Sequence, residues 1–344
     1  MKWYNLKNID KYPCAYRLII GKRTNGKTYS VCNKGVNLWA ETGKKFAYIR
    51  RYRDDITTAN LQDLLNPQPI VDISDGKWNK FLYRSRQFFA VNDENKKSPP
   101  ICDTFALNTW ERTKGPDRGE YSLILFDEFM TRDQYLKDEV NIFLNMLSSL
   151  IRARSGIPIY MIANTVSQFC PYLPDFNIDI QTLKKGSIKQ TRDNVVIEYC
   201  NDTGTPNANE YFKGFRKSAT GMITSGDWEV RDYAHLLHGE NYKNYNFHLR
   251  FFVVLYDRKI CGEVRSAGAN LFLYFYPFTG EIKTPDKEII YSYQTSANPL
   301  HSKSFDIAIN GAHQLIKELV KQDRVYYSDN MTGEAIKSFY KRAL

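Results

Sequence analysis

Residues 16–30, YRLIIGKRTNGKTYS, contain the pattern that most restricts the fold of this chain. An apolar run ends at Gly21, four residues follow, and then come Gly26, Lys27 and Thr28. This is the G-x-x-x-x-G-K-[ST] spacing of a phosphate-binding loop, with a strand signal before it and helix-compatible residues after it. Glycines there let the backbone curl until its N–H groups point at phosphate oxygens. The pattern predicts a nucleoside triphosphate site, and a ligand-free glycine-rich turn is the alternative.

The residues of this loop have distinct expected roles. Lys27 would place its positive charge on the β- and γ-phosphates, and the Thr28 hydroxyl is a predicted Mg²⁺ ligand. The helix that begins here, expected to run to about Gly35, turns its positive end toward the anion. The predicted nucleotide-binding residues are those of the whole loop: Gly21, Lys22, Arg23, Thr24, Asn25, Gly26, Lys27 and Thr28.

A second stretch, YSLILFDEFM at residues 121–130, supplies the expected acids of the site. Its apolar run leads directly into Asp127 and Glu128, which is typical of a buried parallel strand that ends at a ligand crevice. Asp127 is predicted to hold Mg²⁺ together with Thr28. Glu128 is predicted to act as a general base on the attacking water. A surface acidic pair at a strand end is the alternative.

Two further apolar runs are predicted core strands. Residues 46–51, FAYIRR, end in cations that, with Arg53, either face DNA or a neighbouring subunit or form a solvated strand end. An intervening strand of this kind, between the loop strand and the acidic strand, is expected of the hydrolytic class. Residues 157–163, IPIYMIA, would deliver Asn164 to the same edge of the sheet, where a polar side chain can sense the γ-phosphate.

An amphipathic helix is predicted over residues 137–154, and it ends in Arg152 and Arg154. Cations at a helix C-terminus interact favourably with the helix dipole, so simple capping explains them. An arginine finger that enters a neighbouring subunit's site explains them equally well. Both interpretations stay open, as does the choice between the two arginines.

The composition changes beyond Pro171. Residues 183–192 are basic and predicted to be flexible, and residues 201–209, NDTGTPNAN, are typical of a linker or loop. Two short helices are predicted next, at 210–218 and 228–237. Strands are then predicted at 249–256, 260–265, 270–276 and 287–293, with a final helix at 304–322. A meander followed by a helix is typical of a small α+β domain.

These signals together predict an α/β fold in which helices cover both faces of a mostly parallel sheet, followed by the α+β domain. The expected divisions are 1–200 for the nucleotide-binding domain, 201–240 for a helical linker or lid, and 241–344 for the second domain. A hydrophobic content of 42% provides for such cores and excludes a disordered chain.

Charge and cysteine usage limit the partners and the compartment. The formal net charge of +10 favours a polyanionic partner, and the six widely separated cysteines indicate neither a zinc site nor a disulfide framework. No signal peptide is recognisable and no run reaches the roughly 18 apolar residues of a membrane span, so a soluble protein of the cytosol is expected. The candidate DNA-contacting cations are Lys44, Lys45, Arg50, Arg53, Lys184, Lys185, Arg216 and Lys283.

The motifs GKRTNGKT, FAYIRRY, LILFDEF, LIRAR and IYMIANTVS, taken in this order and spacing, resemble a known family. They are similar to the genome-packaging ATPases of small podophages of the phi-twenty-nine type, over roughly residues 15–175. The resemblance implies an ASCE P-loop ATPase, with ATP and Mg²⁺, that works as a ring, normally a pentamer. Such a ring pumps double-stranded DNA through a portal into a procapsid in the host cytoplasm, and a packaging RNA is a further candidate partner.

The resemblance also implies roles for individual residues. Arg23 would be a second basic residue within the phosphate loop, and Asp127 would be the Mg²⁺ acid. Glu128 would be the catalytic glutamate, Arg152 the finger that acts on a neighbour, and Asn164 part of the motif that couples hydrolysis to motion.

In that family the C-terminal domain resembles an RNase H-like nuclease that has lost its metal-binding acids. Here Asp257 and Asp306 are the only obvious acidic candidates, whereas a two-metal nuclease needs three or more convergent carboxylates. The expected function is therefore ATP-driven translocation of double-stranded DNA, with a nucleic-acid-contacting second domain. A nucleoside or nucleotide kinase, a terminase with an active nuclease, and a scaffold that binds ATP only to assemble are the alternatives.

Overall fold

The computed structural model describes most of the chain, which divides into two compact units, Met1–Glu229 and Val230–Leu344. The described residues are 3–113, 119–132, 135–201, 228, 232–236, 241–255, 258–283, 285, 287–292 and 298–342. Most of the predicted linker at 201–240, including its first helix and Arg216, falls outside them. The second predicted helix, at 228–237, is wrong for its described residues, because 228 and 232–236 are not helical. Within the described part of the chain, no helix is both long enough and apolar enough to cross a membrane.

The first unit alternates strands and helices. Its strands are β1 (Tyr16–Gly21), β2 (Lys45–Arg50), β3 (Lys80–Arg84), β4 (Gln87–Val91), β5 (Cys102–Ala106), β6 (Tyr121–Asp127), β7 (Ile159–Asn164), β8 (Ile188–Arg192) and β9 (Val195–Tyr199). Its α-helices are α1 (Lys27–Thr42), α2 (Thr58–Leu61), α3 (Ile70–Ile73), α4 (Trp110–Thr113), α5 (Glu139–Ile151) and α6 (Tyr172–Asp175).

The nine strands form one sheet in the order β3-β4-β5-β2-β6-β7-β1-β9-β8. The six strands from β5 to β9 in this order are parallel, and β3, β4 and β8 add antiparallel edges. Leu18 and Ile20 belong to the same apolar core as helix α5, whereas Ile19 belongs to the core that contains helix α1. Because neighbouring residues of a strand point to opposite faces, α1 and α5 cover opposite faces of the sheet. The predicted sheet between two layers of helices is confirmed.

Three local predictions for this unit are wrong. Helix α1 does not end near Gly35 but runs to Thr42, and Gly43, at φ +71°, ends it. Gly35 instead permits close packing of the helix on the sheet, because a Cβ there would lie 2.6 Å from the ring of Phe46. The strand between β1 and β6 is β7, while β2 lies on the far side of β6. The basic stretch predicted to be flexible contains strand β8 at the sheet edge.

The second unit confirms the α+β expectation. Its strands are β10 (Asn246–Leu255), β11 (Arg258–Ala267), β12 (Asn270–Pro277), β13 (Ile290–Ser292), β14 (His301–Ser302) and β15 (Val325–Tyr327), and its helices are α7 (Gly311–Lys321) and α8 (Asn330–Arg342). Strands β10 to β12 form an antiparallel meander, and β13 and β14 add parallel strands beside β10. The order of the sheet is β14-β13-β10-β11-β12-β15, and β15 is parallel to β12.

The end of this unit differs from the prediction. Helix α7 begins at Gly311 because the Asn310 side chain accepts a hydrogen bond from the backbone N–H of His313 and so caps it. Strand β15 and helix α8 then follow where no element was predicted. Of the two candidate nuclease acids, Asp306 is half-buried just before α7, and Asp257 lies outside the described residues.

Candidate nucleotide-binding site

The phosphate-binding loop connects the carboxyl end of β1 to the first turn of α1, as the sequence predicts. A Cβ on Gly21 would lie 2.9 Å from the Cβ of Cys200, so this position accepts no larger residue without a shift. Gly26 has φ +92°, in the left-handed region that other residues rarely adopt. Gly26 is therefore required by the backbone path of the loop, and Gly21 by its close approach to Cys200.

Lys27 is buried inside the loop. Its Nζ donates to the carbonyl oxygens of Lys22 at 2.7 Å and Gly21 at 3.2 Å, and to the Oδ1 atoms of Asn25 at 3.1 Å and Asn164 at 3.3 Å. Burial lowers the pKa of this lysine to about 8, with Asp127 acting in the opposite direction. The ammonium group is thus held in place by neutral acceptors that an anionic ligand can replace.

Asp127, at the end of β6, lies beside the start of α1. The Thr28 hydroxyl is 3.5 Å from its Oδ2, and the buried Tyr48 hydroxyl donates to the same oxygen at 2.9 Å. Burial raises the pKa of Asp127, and the guanidinium of Arg50 opposes that effect. The two predicted Mg²⁺ ligands, which are far apart in the sequence, are therefore neighbours in the fold.

Arg50 belongs to this site, and its interpretation as a solvated strand end is wrong. A role toward DNA or a neighbouring subunit stays a prediction. The Arg50 guanidinium contacts Glu128 at 2.8 Å, and also lies 3.8 Å from Asp127 and 3.6 Å from Asp55. The position of Arg50 at the end of a core strand could have indicated a place in the site, but nothing in the sequence identifies Glu128 as the acid that Arg50 contacts.

Arg51 fixes the turn that carries Glu128. Its guanidinium forms a buried two-bond pair with Glu139, at 2.8 and 3.0 Å, and donates to the backbone carbonyls of Glu128 at 3.0 Å and Phe129 at 2.7 Å. Glu128 itself has φ +60°, which is rare for a residue with a side chain. The Arg51–Glu139 pair stabilises this conformation, because Arg51 holds the backbone carbonyls of Glu128 and Phe129.

A cavity of about 560 Å³ lies at the carboxyl ends of the parallel strands. Its walls are formed by Trp3, Arg23, Thr24, Asn25, Gly26, Lys27, Thr28, Tyr29, Asp127, Glu128, Ala163 and Asn164. Open parallel sheets bind ligands at this edge. The structure thus brings together most of the loop, both acids and Asn164, and the carbonyls of the remaining two loop residues, Gly21 and Lys22, face Lys27.

Arg152 does not line this cavity. It follows the last turn of α5, with φ +52°, and its Nε is 3.4 Å from the carbonyl of Ser149. Arg154 donates to the carbonyl of Gly119 at 3.1 Å, just before β6 begins. Both arginines therefore lie toward the amino end of the sheet, opposite the cavity of their own chain.

The donor set at the cavity suits magnesium. A hydroxyl and a carboxylate are hard oxygen ligands, and Mg²⁺ in phosphate sites takes one or two carboxylates with the substrate's own phosphates. Among the described residues, no group of three or more His, Cys, Asp or Glu side chains forms a metal site of its own. Thr28 and Asp127 fit a metal ion that arrives with a nucleotide.

Some of the other candidate DNA-contacting cations are paired with acids. Lys45 contacts Asp103 at 2.7 Å, and Lys44 contacts Glu120 at 2.7 Å. The roles of Arg53, Lys184, Lys185 and Lys283 stay predictions.

Comparison with known proteins places the chain among phage packaging proteins. Residues 1–242 match the family model described as Podovirus DNA encapsidation protein (Gp16). The DNA packaging protein of Bacillus phage phi29 is 24% identical over 229 residues, and that of Bacillus phage B103 is 23% identical over 220 residues. These matches cover 65% and 62% of this chain but only 62% and 61% of the relatives' lengths.

Two solved structures share the fold over nearly the whole chain. The bacteriophage Phi-29 viral genome packaging motor assembly matches with a TM-score of 0.61 and 17% identity, and covers 98% of this chain and 100% of the matched one. The Phi-28 gp11 DNA packaging motor matches with a TM-score of 0.61 and 14% identity, over 99% and 98% of the two chains. At these identities the likeness concerns the fold alone.

Proposed function

The chain belongs to the podovirus DNA encapsidation protein (Gp16) family, and from this premise we propose that it hydrolyses ATP to drive double-stranded DNA into a phage procapsid. The observation that carries the proposal is the meeting of Lys27 and Thr28 with Asp127 and Glu128 around one cavity. Such a constellation is suited to positioning and stabilising a phosphoryl group in transfer.

The residues divide the chemistry among themselves. Lys27 and the backbone of the loop bind the β- and γ-phosphates. Thr28 and Asp127 would hold magnesium, which would neutralise charge on the phosphate oxygens. Glu128 accepts a proton from a water molecule, whose oxygen forms a bond to the γ-phosphorus. The bond from that phosphorus to the oxygen bridging to the β-phosphate breaks, ADP leaves with the electron pair, and Glu128 returns the proton to solvent.

The further partners are proposed with the same function. We place the protein in the host cytoplasm, at the portal of a procapsid, as a ring of copies, with a packaging RNA as an additional partner. Arg152, on the opposite end of the sheet from its own cavity, would then serve the cavity of an adjacent copy. The second unit would contact nucleic acid, mainly through the phosphate contacts that dominate such binding. The net charge of +10 of the whole chain favours a polyanionic partner.

Product analysis separates the proposed function from the kinase alternative. The whole chain is incubated with Mg²⁺ and ATP, with duplex DNA in one series and with nucleosides in another. We expect inorganic phosphate whose release is stimulated by DNA. Formation of phosphorylated nucleosides without DNA-stimulated phosphate release would instead support a kinase.

Replacing Arg50 by Gln tests its contact with both acids. We expect turnover to fall about 10- to 100-fold, the range of a lost hydrogen bond to a charged group, while ATP affinity stays within about threefold. Because Arg50 lowers the pKa of Asp127, the acid limb of the pH–rate profile should also move to higher pH. Arg50→Lys should restore part of the rate. The exposed Arg53, changed to Gln, is the control; equal effects of the two Gln variants would contradict a specific role for Arg50.

The pKa of about 8 at Lys27 predicts that ATP binding depends on pH. Bound phosphates raise that pKa again, so above pH 8 the free site must take up a proton to bind, and affinity falls as pH rises. Between pH 7 and pH 9 the affinity for ATP should fall about tenfold, because the protonated fraction of Lys27 falls by about that factor. The γ-phosphate adds no change of its own, since with a pKa near 6 it is already ionised. Calorimetry in buffers of different ionisation enthalpy measures both the affinity and the proton uptake, and a constant affinity without uptake would contradict the prediction.

A further inference from the structure

Two large aromatic side chains stand exposed at the rim of the cavity, and the phosphate chemistry uses neither. Trp3 is 48% exposed and Tyr29 is 40% exposed, and both line the cavity. By contrast, Trp39 and Trp110 are buried in the cores of the same unit. Exposed aromatic surface beside a binding cavity is typical of a ligand contact.

Trp3 is held over the loop by its neighbours in the chain. The backbone N–H of Tyr4 donates to the carbonyl of Asn25 at 2.9 Å, and the Ser30 hydroxyl donates to the carbonyl of Tyr4 at 2.5 Å. The Tyr4 side chain is buried and donates to Glu198 at 2.7 Å. The segment that carries Trp3 is therefore anchored to the loop on one side and to β9 on the other.

The contact between Trp3 and Gly26 fixes where the indole lies. A Cβ on Gly26 would meet the indole Cε3 at 3.2 Å, so the ring covers the loop residue directly before Lys27. Tyr29 is the residue directly after Thr28, on the first turn of α1. The indole thus covers the residue before Lys27, and the phenol ring belongs to the residue after Thr28, so both rings lie next to the pair of residues expected to bind the phosphates.

We propose that Trp3 and Tyr29 form the base subsite of the nucleotide, with the flat face of a purine stacked on the indole of Trp3. The inference rests on the proposed function, because it assigns the second end of a nucleotide whose phosphates occupy the loop. Stacking on an aromatic ring needs only a π-face on the ligand, and the exposed face of an indole offers one. The subsite therefore distinguishes a nucleoside triphosphate from inorganic triphosphate.

The experiment compares the binding of ATP and of inorganic tripolyphosphate, each with Mg²⁺, to the whole chain. For Trp3→Ala we expect ATP affinity to fall at least about tenfold, within the range of base–aromatic stacking, and tripolyphosphate affinity to stay within about twofold. Trp3→Phe keeps a ring and should lose no more than about threefold for ATP. Phe247→Ala, which removes an exposed aromatic ring from the second unit, is the matched control and should change neither affinity.

The outcomes separate failure of this inference from failure of the proposed function. Unchanged ATP affinity in Trp3→Ala would overturn the base subsite. An equal loss for both ligands would also overturn it, because Trp3 would then act only by shaping the loop. Equal affinity of the unaltered chain for ATP and for tripolyphosphate would also overturn the base subsite, because the base would then add nothing to binding. A chain that binds neither ligand would overturn the proposed function and the base subsite with it.

Discussion

Replacing Glu128 by Gln should lower ATP turnover by about 10²- to 10⁴-fold, the range of general base catalysis, and leave ATP binding nearly unchanged. Glutamine has almost the same shape but cannot accept the proton of the attacking water. Lys27, Thr28 and Asp127, which are expected to bind the phosphates and the metal, stay intact. Phosphate release measures the first effect, and equilibrium binding of ATP measures the second.

The control for this variant is Glu94→Gln. Glu94 is an exposed acid that pairs with the exposed Lys96 at 2.7 Å. It should leave turnover unchanged. Retention of more than about a tenth of the rate by Glu128→Gln would contradict the assignment, since a catalytic base contributes far more. If packaging also continued unaltered in that variant, ATP would serve only assembly.

Removing Arg152 should cause the second large effect. An arginine finger contributes about 10³- to 10⁵-fold to turnover, so Arg152→Ala in every subunit should nearly abolish hydrolysis. Because Arg152 lies at the opposite end of the sheet from its own cavity, we expect the loss to be complemented between subunits. A mixture of Arg152→Ala with Glu128→Gln should regain a substantial fraction of the activity that each variant lacks alone. In the mixture, the first variant supplies an intact cavity and the second supplies the arginine.

Two outcomes of this mixing experiment would contradict the proposal. No recovery in co-assembled mixtures would mean that the two residues do not act across a subunit boundary. The finger would be Arg154 if two results occurred together. Arg152→Ala alone would keep full turnover, and a mixture of Arg154→Ala with Glu128→Gln would regain activity that each of those two variants lacks alone. The contact of Arg154 with the carbonyl of Gly119 gives it a local structural role, so we expect only a small effect from its loss.

The elements that could be predicted from the sequence are those with a local signature. The loop at Gly21 to Thr28 has a fixed spacing, and strand β6 is an apolar run that stops at two acids. Because the carboxyl ends of parallel strands share one edge, Asp127 and Asn164 could be placed beside the loop before their neighbours were known. The sequence alternates apolar strands with amphipathic helices, and this alternation predicts that helices cover both faces of the sheet.

The remaining features depend on contacts between distant residues. Arg50 and Glu128 are 78 positions apart, and Arg51 and Glu139 are 88 positions apart, so local charge patterns suggested solvated cations instead. The order of strands in a parallel sheet is set by crossovers, which is why β7 rather than β2 separates β1 from β6. Gly35 resembles a helix end in the sequence, and only the ring of Phe46 explains it as a packing residue.

The central claim is that one Mg²⁺–nucleotide complex joins the loop to the acids of β6. A crystal of the chain grown with Mn²⁺ in place of Mg²⁺ and a slowly hydrolysed ATP analogue tests it most directly, because anomalous scattering locates the ion. We predict a single peak between the Thr28 hydroxyl and the Asp127 carboxylate, with the γ-phosphate on Lys27. A nucleotide bound elsewhere, or an ion that contacts neither Thr28 nor Asp127, would contradict the account.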